Sequence, residues 1–321
     1  GGCVEGTGRH LRALADAGIT DIHLLPVFDI ATIPESGCET PRIPQAAADS
    51  EAQQAAAMAV AAKDCFNWGY DPYHFNAPEG SYASDAEDGA TRIREFRSMV
   101  MALHRAGLRV GMDVVYNHTN EAGLGPKSVL DKIVPWYYQR LNPETGSVEN
   151  STCCSNTAPE HAMFAKLMDD SLVTWARDYK IDAFRFDLMG HHPKDQMVQA
   201  LAEVKKVNPE MYFYGEGWNF GEVADNARFV QATQANMAGT GIATFSDRAR
   251  DAVRGGSPFD SDPGVQGFAS GLYTDPNGSA ANGTSAEQKA RLLHYQDLIK
   301  VGLTGNLAKY HFTDTDGKEV T

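Results

Sequence analysis

This chain of 321 residues has neither a long apolar segment typical of a membrane protein nor a signal peptide typical of a secreted protein. No apolar run approaches the roughly 18 residues that a membrane-spanning helix needs, and the longest, residues 55–62, is rich in alanine. The first residues, 1–5, have neither the basic nor the apolar part of a signal peptide. Because the chain also starts without methionine, we expect a mature or excised piece.

Positive charge is scarce as well. The chain has 28 Lys and Arg against 42 Asp and Glu, which gives a formal net charge of −14. Proteins that bind nucleic acid draw most of their affinity from basic patches on the phosphate backbone, so this class is excluded. Hydrophobic residues make up 42% of the chain, enough for a large core, which excludes disorder as the main state.

Cysteine is limited to five residues. Neither a CxxC pair nor a Cys/His set with zinc spacing occurs, so we expect no structural zinc site. Cys153 and Cys154 are adjacent, and Cys38 and Cys65 bracket one segment, so four of the five can be paired and Cys3 is left over. The alternative is a set of reduced thiols in a cytosolic protein.

Short apolar runs alternate along the chain with amphipathic segments of helical period. The helix-like segments bury one face each, and every one is followed by a nearly continuous apolar run of strand length. This alternation is typical of parallel βα units whose sheet is covered on both faces. The predicted helices are 8–17, 90–105, 161–179 and 196–207, and the predicted strands are 22–28, 108–116, 181–187, 211–216 and 240–245.

Two segments interrupt this alternation. Residues 31–66 are rich in Ala, Gln and Pro and are predicted to form an inserted loop with one helix at 45–63. Residues 255–290 are rich in Gly, Ser, Asp, Asn and Pro, which predicts a long surface loop. Long loops in compact folds are usually functional.

Polar residues follow the predicted strands at their carboxyl ends. In an eight-stranded α/β barrel these ends converge on one mouth, where the active site lies. A doubly wound nucleotide-binding sheet is the alternative, but no GxGxxG follows the first strand and no GxxxxGK[ST] occurs. The sequence therefore predicts a (β/α)8 TIM barrel. The strand-end residues are Asp113, Asn117, His118, Arg185, Asp187, Glu216, Trp218 and 246–248.

Two of these strand-end carboxylates suit a glycosidase. Arg185 lies two positions before Asp187, hence on the same side of the strand, and would hold Asp187 ionised. Glu216 lies between glycines and before Trp218, where we expect it to be partly desolvated and protonated. One charged and one neutral carboxyl group are what glycoside hydrolysis requires. A strand-end salt bridge for each acid is the alternative.

Several motifs, in order over nearly the whole chain, resemble the α-amylase superfamily of glycoside hydrolases and, more closely, its type I pullulanases, which debranch starch. They are NWGYDP at 67–72, DVVYNHT at 113–119, VPWYYQR at 134–140, STCC at 151–154, FRFDLMGHH at 184–192 and YGEGW at 214–218. The resemblance implies a retaining hydrolase of α-1,6-glucosidic branch linkages in pullulan, amylopectin and limit dextrins. An isoamylase, an α-1,4-acting amylase and a non-catalytic glucan-binding protein are the alternatives.

The same resemblance implies a role for each matching residue. Asp187 would be the nucleophile, Glu216 the general acid and then the general base, and Arg185 would orient Asp187. Four residues would contact the sugar, and three would support the floor of the site. The sugar-contacting residues are His118 and His192 by hydrogen bonds and Tyr70 and Trp218 by stacking; the supporting residues are Asp71, Asp113 and Asn117.

Each of these residues also has a structural interpretation, as a core aromatic or a buried histidine, and His191 is assigned to structure. A metallohydrolase is not expected, since neither HxxEH nor HExxH occurs. The resemblance implies no organic cofactor. It makes a structural calcium ion possible, near Asn117 or at acidic loop residues such as Asp260 and Asp262.

The chain departs from the superfamily in what it lacks. The third acid, expected in a His-Asp motif at the seventh strand, is absent after Glu216, and strands two to six alone can be assigned. We therefore expect residues 1–321 to be one partial barrel domain, an internal fragment without strands one, seven and eight. Further domains are expected in the parent protein, and the fragment alone is predicted to be inactive.

The resemblance also bears on the cysteines and the compartment. It implies the disulfides Cys153–Cys154 and Cys38–Cys65. Two disulfides would place the protein outside the cytosol, as a secreted, cell-surface or periplasmic protein of bacterial type. Its partner would be an α-glucan polysaccharide or oligosaccharide, with no nucleic acid and no transmembrane segment in this chain.

Overall fold

A computed structural model describes residues 2–305 and 309–320, with side chains from residue 8 onward. The chain forms two compact units, Gly1–Thr244 and Phe245–Thr321, where the sequence predicts one partial barrel domain over 1–321. No helix in the described ranges is both long and apolar enough to cross a lipid bilayer.

The first unit is built on a parallel sheet. Five strands pair in the order β1-β4-β7-β8-β9, every pair parallel, and they confirm the five strands predicted from the sequence. Strands β2 and β3, and β5 and β6, form two small antiparallel ladders. The strands are β1 (Asp21–Leu24), β2 (Phe28–Ile30), β3 (Pro72–Pro78), β4 (Arg109–Val114), β5 (His118–Thr119), β6 (Ser155–Asn156), β7 (Ala183–Phe186), β8 (Tyr212–Gly215) and β9 (Ala243–Thr244).

Four of the helices between these strands follow the predicted amphipathic segments 8–17, 90–105, 161–179 and 196–207. The helices are α1 (Gly2–Asp16), α2 (Ala52–Met58), α3 (Gly89–Arg105), α4 (Leu130–Ile133), α5 (Ala162–Asp178) and α6 (Lys194–Lys205), with 3-10 turns at Gly80–Tyr82, Met189–His191 and Gly221–Asn226. Helix α3 shows why they form where they do. Its first turn is capped by the Asp88 side chain, which accepts from the Ala90 N–H. Phe96, Val100 and Leu103 recur on its buried face.

Side chains on distant strands meet across the main sheet. His23 on β1 contacts two hydroxyl groups on β8, through Nε2 to Tyr212 at 2.8 Å and through Nδ1 to Tyr214 at 2.9 Å. Gly111 on β4 leaves the space, since a methyl group there would collide with the His23 ring. Three strand intervals of about 4.8 Å would separate β1 and β8 by roughly 14 Å in a flat sheet. The sheet is therefore strongly curved, with these side chains on its concave face.

The inserted segment 31–66 is mostly irregular, and its helix is shorter than predicted. Helix α2 covers Ala52–Met58 rather than 45–63, and none of its residues is buried. Without an apolar face packed against the core, alanine propensity alone sustains only two turns. Residues 38–65 of the segment are closed into a loop by a disulfide between Cys38 and Cys65, with a Cα–Cα distance of 5.1 Å.

Removing this disulfide should destabilise the protein much more than removing the disulfide between Cys153 and Cys154. The Cys38–Cys65 pair spans 27 residues, so Cys38→Ser with Cys65→Ser should lower the free energy of unfolding by roughly 3–4 kcal/mol on loop entropy. The adjacent pair closes almost no loop, and its double serine variant should lose only about 1 kcal/mol. Urea unfolding without reductant measures both, and equal losses would contradict the loop-closure explanation.

The second unit contains α7 (Asp247–Arg254), α8 (Ser285–Leu303), a 3-10 turn at Ala280–Asn282 and the hairpin strands β10 (Phe312–Thr313) and β11 (Glu319–Val320). The predicted loop 255–290 ends sooner than expected, because Thr284 and Glu287 form a capping box that starts α8 at Ser285. The rest of the loop is ordered by side-chain amides: Gln266 and Asn282 are buried and bond backbone groups across it.

Candidate active site

Three carboxylates lie together at the carboxyl edge of the parallel sheet. Asp113 is on β4, and Asp187 and Glu216 each follow the last residue of a strand, β7 and β8. Parallel pairing puts Asp113 opposite Arg185. The side chains of the three acids are 8%, 14% and 22% exposed. The structure thus brings together acids that lie up to 103 positions apart in the chain.

Arg185 is at the centre of this cluster. Its Nη1 lies 2.9 Å from Asp113 Oδ1 and 3.3 Å from Asp187 Oδ1, and its Nη2 lies 2.8 Å from Glu216 Oε1. From the sequence, Arg185 was expected to pair with Asp187 alone. The planar guanidinium, with five N–H donors, instead joins all three carboxylates. These anions raise the pKa of Arg185, against the opposing effect of its burial.

Tyr70 closes one side of the cluster. Its hydroxyl donates to Asp113 Oδ2 at 2.6 Å, and the guanidinium carbon of Arg185 lies 5.7 Å from its ring centroid. Burial raises the pKa of Asp113 to about 6, although Arg185 and the Tyr70 hydroxyl oppose the rise. Burial and the bond to Asp113 also raise the pKa of Tyr70, so its hydroxyl stays protonated at neutral pH.

Asn117 and His118 flank Asp187 on another side. The Asn117 side-chain amide donates to the Asp187 backbone oxygen and to its Oδ2, both at 2.9 Å. The two ring nitrogens of His118 face Asn117 Oδ1 and the Tyr70 carbonyl oxygen, each at 2.7 Å. This chain of bonds fixes the Asp187 carboxylate and the His118 ring relative to Tyr70.

His191 and His192 are both fully buried beside the cluster. Burial lowers the pKa of His191 to about 4 and that of His192 to about 3, so both rings are neutral at pH 7. His191 Nε2 lies 3.0 Å from Ser151 Oγ. Within the described part of the chain, neither ring nitrogen of His192 has a hydrogen-bond partner.

The backbone after Asp187 is bent by a residue in a left-handed conformation. Leu188 has φ 42° and ψ 49°, and its N–H donates to Glu216 Oε2 at 3.1 Å. The next turn brings Gly190 so close to the loop after Glu216 that a methyl group at Gly190 would collide with the Trp218 carbonyl. One backbone amide therefore links the segment carrying Asp187 to the Glu216 carboxylate.

Asp71 and Trp218 lie at the edge of the site. Asp71 accepts from the Thr32 hydroxyl at 2.6 Å, and its backbone oxygen accepts from the Ala31 N–H at 2.9 Å. Asp71 thus ties the Tyr70 segment to the chain after β2. Trp218 is partly exposed on the loop that follows Glu216.

The residues named for calcium take part in hydrogen bonds within the protein. The amide oxygen of Asn117 already faces His118 Nδ1 at 2.7 Å. In the second unit, Asp260 Oδ2 accepts from the Ser257 N–H at 2.6 Å and Asp262 Oδ1 from the Gly264 N–H at 2.7 Å. A carboxylate has a second oxygen and further lone pairs, so these hydrogen bonds neither make nor exclude a cation site. Calcium binding therefore stays a prediction of the resemblance alone.

A second buried cation, Arg140, lies near the site and was not predicted from the sequence. Arg140 lay within the VPWYYQR motif, but its partner Glu222 carried no sequence signal, being 82 positions away. Arg140 is 2% exposed and donates to Glu160 and Glu222.

The two disulfides implied by the resemblance are formed, and Cys153 Sγ lies 4.0 Å from His118 Nε2.

Arg185→Met should lower the free energy of unfolding by about 3–5 kcal/mol, because it leaves a buried carboxylate cluster without its cation. Urea unfolding measures the loss, and Arg177→Met, at an exposed pair with Asp178, is the control that should change little. The loss should be smaller at pH 5 than at pH 8, since Asp113, whose pKa is about 6, is then protonated. An equal loss at both pH values would contradict this explanation.

Comparison with known proteins identifies relatives of the whole segment. No protein-family model matches the chain. A pullulanase of Klebsiella pneumoniae is 47% identical over 96% of the chain, and the chain covers 31% of that protein. A chloroplastic pullulanase of Arabidopsis thaliana is 45% identical over 97% of the chain, and the chain covers 33% of it.

Solved structures agree with these relatives. The crystal structure of Klebsiella pneumoniae pullulanase complexed with maltotriose matches 97% of the chain with a TM-score of 0.84 and 46% identity, and the chain covers 37% of it. The chain thus spans about a third of the length of the curated relatives it matches. Over nearly its whole length, this chain is homologous to one segment of the pullulanases.

Proposed function

We propose that this chain carries the two catalytic acids of a retaining glycoside hydrolase that cleaves α-1,6-glucosidic branch linkages in pullulan, amylopectin and limit dextrins. One observation carries the proposal: the Arg185 guanidinium gathers Asp113, Asp187 and Glu216 at the carboxyl edge of a parallel sheet. That edge is where α/β barrels hold their active sites, and paired carboxyl groups are what glycosidases use.

In the proposed reaction, Asp187 attacks the anomeric carbon while Glu216 protonates the leaving oxygen. The bond from sugar to leaving oxygen breaks as the bond to Asp187 forms, giving a covalent glycosyl ester. Glu216 then takes a proton from water, which displaces Asp187 with a second inversion and hence net retention. Glu216 lies 2.8 Å from Arg185, so it must leave this contact to meet the leaving oxygen.

The other groups would bind the sugar at the cleavage point. Tyr70 presents its ring as a stacking surface, since its hydroxyl is already bonded to Asp113. His192 has two buried ring nitrogens with no hydrogen-bond partner in the described chain, and a sugar hydroxyl would bond one of them once the ring becomes accessible. His118, on the other side, is anchored to Tyr70 and Asn117. Trp218 would stack on the leaving-group side.

We further propose that the parallel sheet is part of a (β/α)8 barrel. The contacts from His23 to Tyr212 and Tyr214 support this, because they require the curvature that closes a sheet. The strand order follows the chain order, as it does in a barrel of consecutive βα units.

Product analysis on pullulan tests the function. The full-length protein should release maltotriose, which contains the α-1,4 bonds between two cleaved α-1,6 bonds. Panose as the product would indicate an α-1,4-acting amylase. Glucan binding without release of reducing sugar would indicate a binding protein, and activity on amylopectin but not on pullulan would favour an isoamylase.

We propose that the protein works outside the cytosol. The support is the pair of disulfides, Cys38–Cys65 and Cys153–Cys154, which persist in oxidising compartments. Mass spectrometry of protein from its native compartment should show both bonds. Five free thiols in that material would refute the proposed compartment.

A further inference from the structure

A buried cluster behind the candidate active site joins three separate loops. Its members are Arg140, Ser151, Asn156, His191 and Glu222, and we name it the Glu222 cluster. At its centre, Arg140 Nη1 lies 2.9 Å from Glu222 Oε1, with side chains 2% and 8% exposed. The cluster takes no part in the proposed chemistry, yet each of its loops carries or pairs with a candidate sugar-binding residue.

Both oxygens of Glu222 accept hydrogen bonds. Oε1 accepts from Asn156 Nδ2 at 2.9 Å as well as from Arg140, and Oε2 accepts from the Ser151 hydroxyl at 2.5 Å. Burial alone would raise the pKa of Glu222, but the bonds from Ser151, Arg140 and Asn156 outweigh it and lower the pKa to about 2. The carboxylate is therefore ionised at any working pH.

The same cluster fixes the turn that carries His192. Arg140 Nη2 donates to the His191 carbonyl oxygen at 3.0 Å. Since the Ser151 hydroxyl proton is given to Glu222, Ser151 Oγ accepts from His191 Nε2 at 3.0 Å. The residue preceding His192 is thus held at both its backbone and its ring.

Of the other two loops, one pairs with the strand of His118 and one carries Trp218. Asn156 pairs with His118 in the ladder of β5 and β6, so its bond to Glu222 anchors the strand next to His118. Glu222 itself lies four residues after Trp218, in the turn Gly221–Asn226. Gly221 has φ 77°, and a methyl group there would collide with Ser151, so this turn packs directly on the loop 151–156.

We propose that Glu222 is a positioning residue for glucan binding, which holds His118, His192 and the Trp218 loop in one arrangement. The proposal rests on the proposed function for the nature of the ligand. Glu222 reaches no reacting atom, and it acts through the three loops. Asp187 and Glu216 are held on strand ends by Arg185, a support that does not pass through Glu222.

The Glu222→Gln variant of the full-length protein tests this. A glutamine keeps the size of the side chain but loses its charge. Its NH2 group would face Arg140, Ser151 or Asn156, which now donate hydrogen bonds to the Glu222 oxygens. The Kd of maltotriose, measured by calorimetry, and the KM for pullulan should rise by up to about 10²-fold, the scale of a displaced contact. The kcat should change less than threefold, because the acids keep their places.

Glu160→Gln is the matched control. Glu160 also pairs with Arg140, at 2.8 Å, but its side chain is 25% exposed. The control removes the same charge from Arg140 and should leave the Kd of maltotriose unchanged. Histidine side-chain NMR should show the His191 ring perturbed by Glu222→Gln and not by Glu160→Gln. Equal effects of the two variants on Kd and on His191 would overturn the proposal.

If Glu222→Gln does not fold, Ser151→Ala tests the positioning role of Glu222 instead. It removes only the hydroxyl between Glu222 and His191 and should raise the Kd of maltotriose by a smaller factor while shifting the His191 ring signal. No change in either would overturn the proposal. A wild-type protein that binds maltotriose but does not hydrolyse pullulan refutes the proposed function alone, and one that binds no maltotriose refutes both.

Discussion

Asp187→Asn in the full-length protein should lower the rate of glucan hydrolysis on the order of 10⁶-fold, as expected when a hydrolase loses its nucleophile. The variant keeps the size of the side chain but not its chemistry. Asp187 accepts from Asn117 Nδ2 at 2.9 Å and lies 3.3 Å from Arg185 Nη1. An asparagine would turn an NH2 group toward one of these two donors, and its amide oxygen is a poor nucleophile for the anomeric carbon.

Mass spectrometry of protein quenched during turnover of an activated fluorosugar checks the role directly. The wild-type protein should gain the mass of one glycosyl unit, and the variant should gain none. Asp170→Asn is the matched control, since Asp170 is an exposed partner of Lys166 on α5, and it should keep full activity. A labelled Asp187→Asn protein would contradict the assignment of the nucleophile.

Glu216→Gln should lower hydrolysis of natural glucans by 10²–10⁴-fold, the contribution of general acid–base catalysis. The loss should be much smaller with an aryl glucoside whose leaving group needs no proton. Glutamine retains a carbonyl oxygen that can accept from the Leu188 N–H, which now donates to Glu216 Oε2 at 3.1 Å. The local backbone should therefore survive, so that the kinetic difference reports the missing proton. The ratio of kcat/KM for the two substrate types is the measurement.

Azide distinguishes the two acids. In Glu216→Ala, azide should restore turnover of the activated substrate and give a glycosyl azide with retained configuration, because the glycosyl ester on Asp187 still forms. An inverted azide product would mean that Glu216 is the nucleophile and that the two roles are reversed. Glu203→Gln, at an exposed helical pair with Lys206, should behave like the wild-type protein.

Much of the sheet was predictable because its signals are local. Each strand is an apolar run after an amphipathic helix, and all five strands are found in the predicted order. The gathering of Asp113, Asp187 and Glu216 followed from the rule that parallel strand ends share one edge. Helix 45–63 was overestimated for the opposite reason: its alanines gave propensity without a face to bury, and only Ala52–Met58 is helical.

What the sequence could not predict depends on partners distant in the chain. The distribution of Arg185 over three carboxylates follows from the register of β7 with its neighbours β4 and β8, which no local pattern records. The ion pair of Arg140 with Glu222 joins residues 82 positions apart, and Glu222 lies in an irregular turn with no periodicity. From its spacing in the sequence, Glu222 cannot be distinguished from an exposed surface glutamate.

The backbone conformation of Leu188 limits which residues can replace it between Asp187 and Glu216. Its left-handed backbone, at φ 42° and ψ 49°, points one N–H at Glu216, and we expect this geometry, more than the leucine side chain, to be what the position requires. Substitutions at 188 should therefore rank by how readily each residue adopts that conformation: Gly, Asn and Asp first, Val and Ile last. A saturation library at this one codon, scored for activity, would thus follow backbone preference and show no correlation with hydrophobicity.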